Sequence, residues 1–339
     1  MLKVTDQRLE MAIRWVKGHL GDDCRVLPLA GDASFRRYFR VVQDERSYVL
    51  MDAPPEKEDV APFLAVRAWL SSAEVRVPDL IAEDRQQGFL LLQDFGDLTW
   101  ASHLAASTAP EQTVLDLFAD ALAQLTTLQR SVPPMTLPRF DIDRMQRECD
   151  LYLDWYLPKV AGYQPSLNER EGFHASMLPL LQQLAALPQT PVHLDYHSRN
   201  LMLPVGRVPL GVIDFQDAVL GPVTYDLASL LYDCYQNYPE SIRRQQSRLY
   251  FDQLPSDIRS EFEDFKAWHH ALRLTALQRH IKAIGIFARL AYRDGKQQFL
   301  GEIPLTRIHL VEEVAALDLN APGLSMLQIE PEDGRNDSL

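Results

Sequence analysis

The sequence changes character near residue 96, and this change most constrains the fold. Before it, two β-rich runs at 38–42 and 48–51 flank a short polar segment, which predicts an antiparallel meander. After it, apolar residues recur mainly at helical spacing, most clearly over 113–129. Because strands are grouped at one end of the chain and helices at the other, we predict an α+β protein.

We predict two lobes and a short tail. The first, residues 1–95, is a small antiparallel β-sheet lobe with one helix between Thr5 and Gly21 and another near 60–71. The second, residues 96–325, is larger and mostly helical, and residues 326–339 form a flexible tail. The length of 339 residues and the hydrophobic content of 46% are ample for such cores. A cleft between two lobes is a natural ligand site.

Composition and charge exclude several classes of protein. The net charge of −13 leaves no basic face of the kind that nucleic-acid binders show. The three cysteines, Cys24, Cys149 and Cys234, are far apart, which excludes a zinc ribbon and fits a reducing cytoplasm. The charged start, residues 1–21, is unlike a signal peptide, and no apolar run approaches the roughly 20 residues that span a bilayer. We expect a cytoplasmic protein without membrane or nucleic-acid partners.

The strongest chemical signal is a polar loop over 193–200 with the sequence HLDYHSRN. Two short apolar runs, 201–203 and 210–213, follow it and predict a hairpin whose turn lies at 205–207. The second run leads directly into Asp214. The hairpin is therefore expected to bring Asp214 back beside the polar loop.

These two segments carry the side chains that phosphoryl transfer needs. The attacking hydroxyl must be oriented in line with the phosphorus, and the phosphate charge must be neutralised by Mg²⁺ and cationic groups. Magnesium prefers oxygen ligands, usually one or two from the protein. The loop provides Asp195 and Asn200, and the hairpin provides Asp214. An Asp and an Asn in one turn also occur as a purely structural device, but the joint pattern favours a phosphotransferase.

The pattern His-x-Asp-x-His-x-x-Asn, followed by Ile-Asp-Phe, resembles the aminoglycoside phosphotransferase family of small-molecule kinases. The similarity extends roughly over 26–310. It implies a bilobal protein-kinase-like fold, with ATP and Mg²⁺ as cofactors. It also implies that Asp195 is the catalytic base that orients the hydroxyl and that His197 lies close to the γ-phosphate. Asn200 and Asp214 are implied to hold magnesium.

The same resemblance gives two residues a supporting role. His193 is expected to brace the catalytic loop through packing and hydrogen bonds. Asp226, in a Pro-x-x-x-Asp-Leu-Ala segment, is expected to hold the loop through its backbone amides. An Asp in the first turn of a helix is also favourable for the helix dipole alone. On either interpretation, Asp226 should affect activity through the geometry of the loop.

Two segments of the first lobe are candidates for nucleotide binding. Gly31 and Ser34 belong to a turn between two predicted strands, where backbone amides could face phosphates. Gln93, Asp94 and Phe95 lie at the junction of the lobes, where kinases bind adenine through main-chain groups. We expect backbone contacts there, with the identity of the side chains less important.

The lysine that kinases carry on the third strand is missing, and Met51 occupies its position. One explanation is that another cation replaces the lysine, for which Arg36 and Arg37 are candidates. These arginines could equally lie on a solvated strand face. The other explanation is a nucleotide-binding pseudokinase. We favour an active enzyme because the loop and magnesium residues are all present.

Three runs, 34–40, 91–96 and 193–200, are similar to one branch of the family in particular. Its members phosphorylate the C1 hydroxyl of N-acetylmuramate or N-acetylglucosamine in peptidoglycan recycling. The resemblance therefore implies a small-molecule amino sugar as the acceptor and a sugar 1-phosphate as the product. An aminoglycoside, a choline-like compound and another sugar are the alternative acceptors.

Charged residues of the larger lobe give opposing indications about the acceptor. N-acetylmuramate carries a lactyl carboxylate and should need a cation, for which Arg144 and Arg147 are candidates. The acidic residues of the same predicted helix, within 143–154, would suit a polycationic aminoglycoside or simply face solvent. Asp217 is a candidate for contacting the substrate or metal, and a solvated loop carboxylate is the alternative.

Overall fold

The chain divides into one unit built on a β-sheet and one built on helices, which confirms the predicted α+β class. The first unit consists of Met1–Leu98 and Met202–Gln216, and the second of Thr99–Leu201 and Asp217–Leu339. The structure is a computed structural model that describes four stretches of the chain, 6–29, 35–106, 111–203 and 209–331.

The first unit contains two helices and five strands before residue 98. In chain order these are α1 (Gln7–Leu20), β1 (Arg25–Pro28), β2 (Arg37–Gln43), β3 (Arg46–Asp52), α2 (Ala61–Ser72), β4 (Leu80–Asp84) and β5 (Phe89–Gln93). The strands form one antiparallel sheet in the order β1-β2-β3-β5-β4. The predicted runs 38–42 and 48–51 lie in β2 and β3, which pair directly, so the predicted meander is confirmed.

One face of this sheet is covered by α1. Val41, Leu50 and Leu91 come from three neighbouring strands, are fully buried and pack in one cluster with Ala12 and Val16 of α1. Side chains of a strand alternate between the two faces of the sheet, so the residues next to these three along each strand belong to the opposite face. Burial of these side chains fixes the register of the strands.

The rest of the chain is mainly helical. A π-helical turn, Tyr152–Tyr156, follows the third helix of this region. The elements in chain order are α3 (Trp100–Ala106), α4 (Glu111–Arg130), α5 (Ile142–Leu151), α6 (Leu157–Lys159), α7 (Leu167–Ala186), β6 (Gln189–Val192), β7 (Leu201–Met202), β8 (Gly211–Val212), β9 (Val219–Pro222), α8 (Tyr225–Leu231), α9 (Glu240–Gln253), α10 (Ser256–Arg259), α11 (Phe265–Arg293) and α12 (Ile303–Ala316). Among the helices of the described stretches, none has the length and apolar character that crossing a membrane requires.

Two small sheets frame the polar loop in the sequence. β6 pairs with β9, and β7 pairs with β8 as the hairpin pattern predicts. The predicted turn at 205–207 lies outside the described residues. Residues Met202–Gln216 belong to the first unit. The prediction had placed all of residues 96–325 in the second lobe. The predicted lobe limits at residues 95 and 325 stay predictions.

The longest helix, α11, runs through the core of the second unit with most of its residues buried. It approaches the end of α5 closely at Gly285. A Cβ atom on Gly285 would lie 2.4 Å from the carbonyl carbon of Leu151 and 2.5 Å from the nitrogen of Tyr152. Only glycine permits this approach, which sets α5 and α11 side by side.

Candidate active site

The polar loop begins where β6 ends and is held by a buried carboxylate from α8. Asp226, in the first turn of α8, accepts hydrogen bonds from the backbone N–H groups of His193 and Leu194 at 2.7 and 3.0 Å. Leu194 has a φ of +79°, a left-handed conformation that is unfavourable for a non-glycine residue. The two bonds to Asp226 therefore stabilise a strained turn immediately before Asp195.

A second buried carboxylate, Asp233, holds the other end of the loop. It accepts hydrogen bonds from the backbone N–H groups of Ser198 and Tyr235, both at 2.9 Å. Sequence reasoning missed this residue. The available signal was an acidic residue directly after the apolar run of α8, where a carboxylate is rarely found unless it has hydrogen-bond partners.

Hydrogen bonds inside the loop orient Asp195 and Asn200. Nδ2 of Asn200 donates to the carbonyl oxygen of Asp195 at 3.0 Å, which leaves Oδ1 as the side-chain atom suited to a cation. The N–H of Asp195 donates to Nδ1 of the buried His193 at 3.3 Å. His197 packs edge-on against the ring of Tyr235, with centroids 5.1 Å apart. Burial lowers the pKa of His197, so its imidazole is neutral at pH 7.

The carboxylate of Asp195 is kept ionised by positive groups around it. Burial raises its pKa, but Lys282 and, with a smaller effect, Arg279 lower it, and the pKa lies below its ordinary value. Lys282 and Arg279 lie three residues apart on α11 and therefore on one side of this helix. Sequence reasoning missed both, because nothing local marks which residues of a distant helix reach the loop.

The cations belong to a cluster that joins α11 to α5. Oε1 of Glu148 lies 3.7 Å from Nζ of Lys282 and 3.6 Å from Nε of Arg144. Nζ of Lys282 also lies 3.3 Å from the hydroxyl of Tyr225. Of the two arginines predicted for the substrate, Arg144 thus lies in the cluster beside the loop, whereas Arg147 is exposed on α5.

The acidic residues predicted as an alternative aminoglycoside site are mostly engaged by basic partners. Besides Glu148, Asp150 contacts His174 at 2.7 Å and Asp154 contacts Arg170 at 2.6 Å, both on α7. Asp143, in the first turn of α5, is exposed. The segment therefore presents ion pairs rather than a row of unpaired carboxylates.

The predicted magnesium ligand Asp214 follows β8 in the first unit. Its φ is +65°, and Nε2 of Gln216 donates to its Oδ1 at 2.8 Å. The next residue, Phe215, is buried and anchors this turn. The two loop oxygens belong to the second unit, and their convergence with Asp214 stays a prediction. Asp217 is exposed at the point where the chain re-enters the second unit, and its predicted role stays a prediction as well.

The nucleotide candidates of the first unit lie at and beyond the end of β5. Gln93 is the last residue of that strand. Asp94 accepts hydrogen bonds from Nε of Arg40 at 2.6 Å and from the N–H of the glycine two residues on at 2.8 Å. Phe95 is buried, so its side chain is not available to a ligand here. Gly31 and Ser34, the candidates in the predicted phosphate-facing turn, lie outside the described residues.

Met51, in the position of the kinase lysine, is fully buried within the sheet. The two candidate replacements have different partners. Arg37 is held by carboxylates, including Oδ2 of Asp52 at 2.6 Å. Arg36 lies 3.6 Å from Glu58, which precedes α2. The sequence analysis did not single out Glu58, which lies before the helix rather than on it. Which of the two arginines replaces the lysine stays a prediction.

Comparison with known proteins now decides the family. The model of the phosphotransferase enzyme family matches residues 25–265 of the chain. The chain belongs to this phosphotransferase family. The match includes the polar loop, the hairpin and α8, so it confirms the family resemblance of the loop pattern.

Relatives of this phosphotransferase extend along most of its length. A protein from Pseudomonas putida is 37% identical over 88% of this chain and 89% of its own, and one from Pseudomonas aeruginosa is 39% identical over 82% and 80%. A third, from Neisseria meningitidis, is 37% identical over 81% of both chains. All three are named N-acetylmuramate/N-acetylglucosamine kinase.

Solved structures of low sequence identity share the fold of this phosphotransferase. The aminoglycoside phosphotransferase APH(4)-Ia matches with a TM-score of 0.59 at 14% identity, over 92% of this chain and 99% of its own. The gentamicin complex of APH(2")-IIa gives 0.60 at 16% identity, over 94% and 97%. An ethanolamine kinase from Plasmodium vivax gives 0.60 at 12%, over 91% and 89%. The expected kinase-like fold is thereby confirmed.

Proposed function

We propose that this phosphotransferase is an ATP-dependent kinase that phosphorylates the C1 hydroxyl of N-acetylmuramate and N-acetylglucosamine. The observation that carries the proposal is the name of the three relatives, which are 37–39% identical across more than four fifths of this chain. The cations beside Asp195 add support, because they suit the carboxylate of an anionic sugar.

Asp195 is the centre of the proposed mechanism. Its carboxylate accepts a hydrogen bond from the C1 hydroxyl, orients the oxygen toward the γ-phosphorus and receives the proton as the new O–P bond forms. The bond between the γ-phosphorus and the bridging oxygen breaks in the same step, and ADP is the leaving group. The bonds from Asp226 and Asp233 hold the loop in place before the sugar arrives, so little reorganisation is needed. The neutral imidazole of His197 has one N–H to donate near the phosphate.

The residues present suit a magnesium–nucleotide complex. Asn200 Oδ1 and the carboxylate of Asp214 are hard oxygen donors, and we assign them as the protein ligands of Mg²⁺. When bound, the metal neutralises charge on the phosphates. Arg36, paired with Glu58, is the residue that we assign to the phosphates in place of the missing lysine. Backbone groups of residues 93–95 are assigned to the adenine.

The proposed product is a sugar 1-phosphate, which is a suitable substrate for a nucleotidyltransferase. We place this step in the cytoplasm, where ATP is available and where cell-wall sugars are recovered. The three cysteines are all unpaired and buried, which is compatible with a reducing compartment.

A panel of acceptors tests the proposal directly. ATP turnover is measured with N-acetylmuramate, N-acetylglucosamine and kanamycin, and NMR identifies the esterified hydroxyl. We expect both sugars to give C1 phosphates. Asp195→Asn should lower kcat by about 10²–10⁴-fold, the usual contribution of a catalytic base, with little change in the KM for ATP. Asp143→Asn, which alters an exposed carboxylate, is the matched control.

Two outcomes would contradict the proposal. Turnover of the amine alone would identify an aminoglycoside kinase. Phosphate on a hydroxyl other than C1 would keep the enzyme class but refute the anomeric assignment.

A further inference from the structure

Arg279 on α11 is a buried charge that forms no ion pair within the stretches that the structure describes. Only 6% of its surface is exposed, and its Nε and Nη1 are covered without a hydrogen-bond acceptor among the described residues. Its guanidinium carbon lies 5.5 Å from the ring centroid of Tyr225. Burying a charge without hydrogen bonds is unfavourable, so a ligand that satisfies these donors would explain its position.

The surroundings of Arg279 place it at the acceptor side of the catalytic loop. Its charge acts on Asp195 and on His197, so it lies near the groups that would meet the reacting hydroxyl. The ring of Tyr225 that it covers is also the one whose hydroxyl contacts Lys282 at 3.3 Å. Arg279 is therefore part of the wall that an acceptor bound at Asp195 would face.

The carboxylates around Arg279 are engaged by other groups. Lys282 and Arg144 share one carboxylate, that of Glu148. Asp195 is reserved for the hydroxyl, and the oxygens of Asp226 and Asp233 accept backbone N–H bonds. A guanidinium whose neighbouring carboxylates are engaged in this way is suited to an anionic ligand, even in a chain of net charge −13.

We propose that Arg279 is a specificity residue that binds the carboxylate of an anionic sugar acceptor. The inference rests on the proposed function, and the carboxylate is the group that distinguishes the two proposed substrates. N-acetylmuramate carries a lactyl ether carboxylate on C3, two ring atoms from the C1 hydroxyl, whereas N-acetylglucosamine has a neutral hydroxyl there. A guanidinium offers N–H groups in a planar fork that matches a carboxylate.

The two arginines that the sequence indicated are less suited to this role. Arg144 is engaged by Glu148 and by the ring of Phe140, whose centroid lies 5.5 Å from its guanidinium carbon. Arg147 is exposed, and exposed ion pairs contribute little to binding. Arg279 combines burial with unsatisfied donors, which gives a charge-assisted hydrogen bond its largest effect.

The test compares the two sugars in the full-length enzyme. Arg279→Gln should lower kcat/KM for N-acetylmuramate by about 10–100-fold, mainly through KM, since a charge-assisted pair is lost. The value for N-acetylglucosamine should change by less than about threefold, because that sugar has no carboxylate to bind. Arg289→Gln, about 15 Å further along α11, is the matched control and should not alter the ratio. Arg279→Lys, which keeps the charge, should retain part of the wild-type ratio of kcat/KM for N-acetylmuramate to kcat/KM for N-acetylglucosamine.

An equal loss with both sugars would overturn the inference and make Arg279 a positioning residue for Asp195. If Arg279→Gln does not fold, the wild-type enzyme decides the matter with the primary amide of N-acetylmuramate. We expect the amide to be turned over about 10-fold less efficiently than the acid, and equal efficiency would refute the inference. Turnover of N-acetylglucosamine by the wild type tests the proposed function separately, because its absence would remove that function itself.

Discussion

At the scale of single residues, the polar loop that holds the proposed catalytic base depends on two buried carboxylates. Asp226 and Asp233 each accept two backbone N–H bonds, at 2.7–3.0 Å, and so fix both ends of the loop. Bonds from N–H groups to a carboxylate are stronger than neutral ones, which offsets the unfavourable φ of Leu194. Asp195 is thereby positioned by its neighbours in space rather than by its neighbours in sequence.

The Asp226→Asn variant should remove a pH dependence from the unfolding free energy of the protein. Burial raises the pKa of folded Asp226 to about 6, from an ordinary value of 3.8, in spite of His193 and the N–H bonds. Between these values the folded state binds more protons than the unfolded state, so the stability due to Asp226 falls as pH rises from about 4 to about 6. The difference between the folded and the ordinary pKa of Asp226 limits this loss of stability to about 3 kcal/mol.

Urea unfolding at pH 4.5 and pH 7.5 measures this effect. The wild type should lose more stability than Asp226→Asn between the two pH values. Asp217→Asn, in which an exposed carboxylate is neutralised, should follow the wild type. A wild-type and an Asp226→Asn curve that stay parallel would show that Asp226 does not titrate in this range.

At the scale of elements, α11 organises the proposed acceptor side of the site. It places Arg279 and Lys282 near Asp195 of the polar loop, and Lys282 in turn pairs with Glu148 of α5. This pairing depends on the close contact of the two helices at Gly285. One position without a side chain therefore sets the geometry of a cluster about one helical turn away.

Gly285→Ala should separate α5 from α11. The new methyl group would lie 2.4–2.5 Å from backbone atoms of residues 151 and 152, which cannot move aside as a side chain can. Overpacking of this kind typically costs about 1–3 kcal/mol of unfolding free energy. We also expect a higher KM for N-acetylmuramate, because Lys282 moves away from Glu148.

Gly18→Ala is the matched control, since a methyl group there meets nothing within 4 Å and the position is helical. It should raise the unfolding free energy by about 0.5–1 kcal/mol, as alanine favours the helix. Denaturant melts and sugar kinetics of both variants provide the comparison. If Gly285→Ala were as stable and as active as the wild type, the close approach would have no structural importance.

The sequence predicted those elements whose signals are local. Alternation in β2 and β3 predicted the meander, and the spacing of the loop residues predicted the family. Each of these patterns is made of residues that lie close together in the sequence. The partners that come from distant segments were not predictable in this way. Asp233, Glu58 and Arg279 acquire their roles only when helices pack, and helical periodicity indicates which face is buried but not which residues meet it.

At the scale of the whole molecule, a chain of net charge −13 is proposed to bind two anions, ATP and N-acetylmuramate. Repulsion from distant charges is largely screened beyond about 8–10 Å at physiological ionic strength. Binding must therefore depend on cations placed next to each ligand. The first unit offers Arg36 and the second offers Arg279, and each is placed by contacts within its own unit.

Variants of these two arginines should separate the binding of the two substrates. Arg36→Ala is expected to raise the KM for ATP by about 10-fold, the loss of one charge-assisted contact, while the KM for N-acetylmuramate stays nearly constant. Arg279→Gln should show the opposite pattern. Arg37→Ala is the control in the first unit, since Asp52 and Asp6 already hold Arg37 and its loss should lower stability more than ATP affinity. Steady-state kinetics at saturating co-substrate measure each KM, and a rise in the KM for ATP in Arg37→Ala alone would exchange the roles of Arg36 and Arg37.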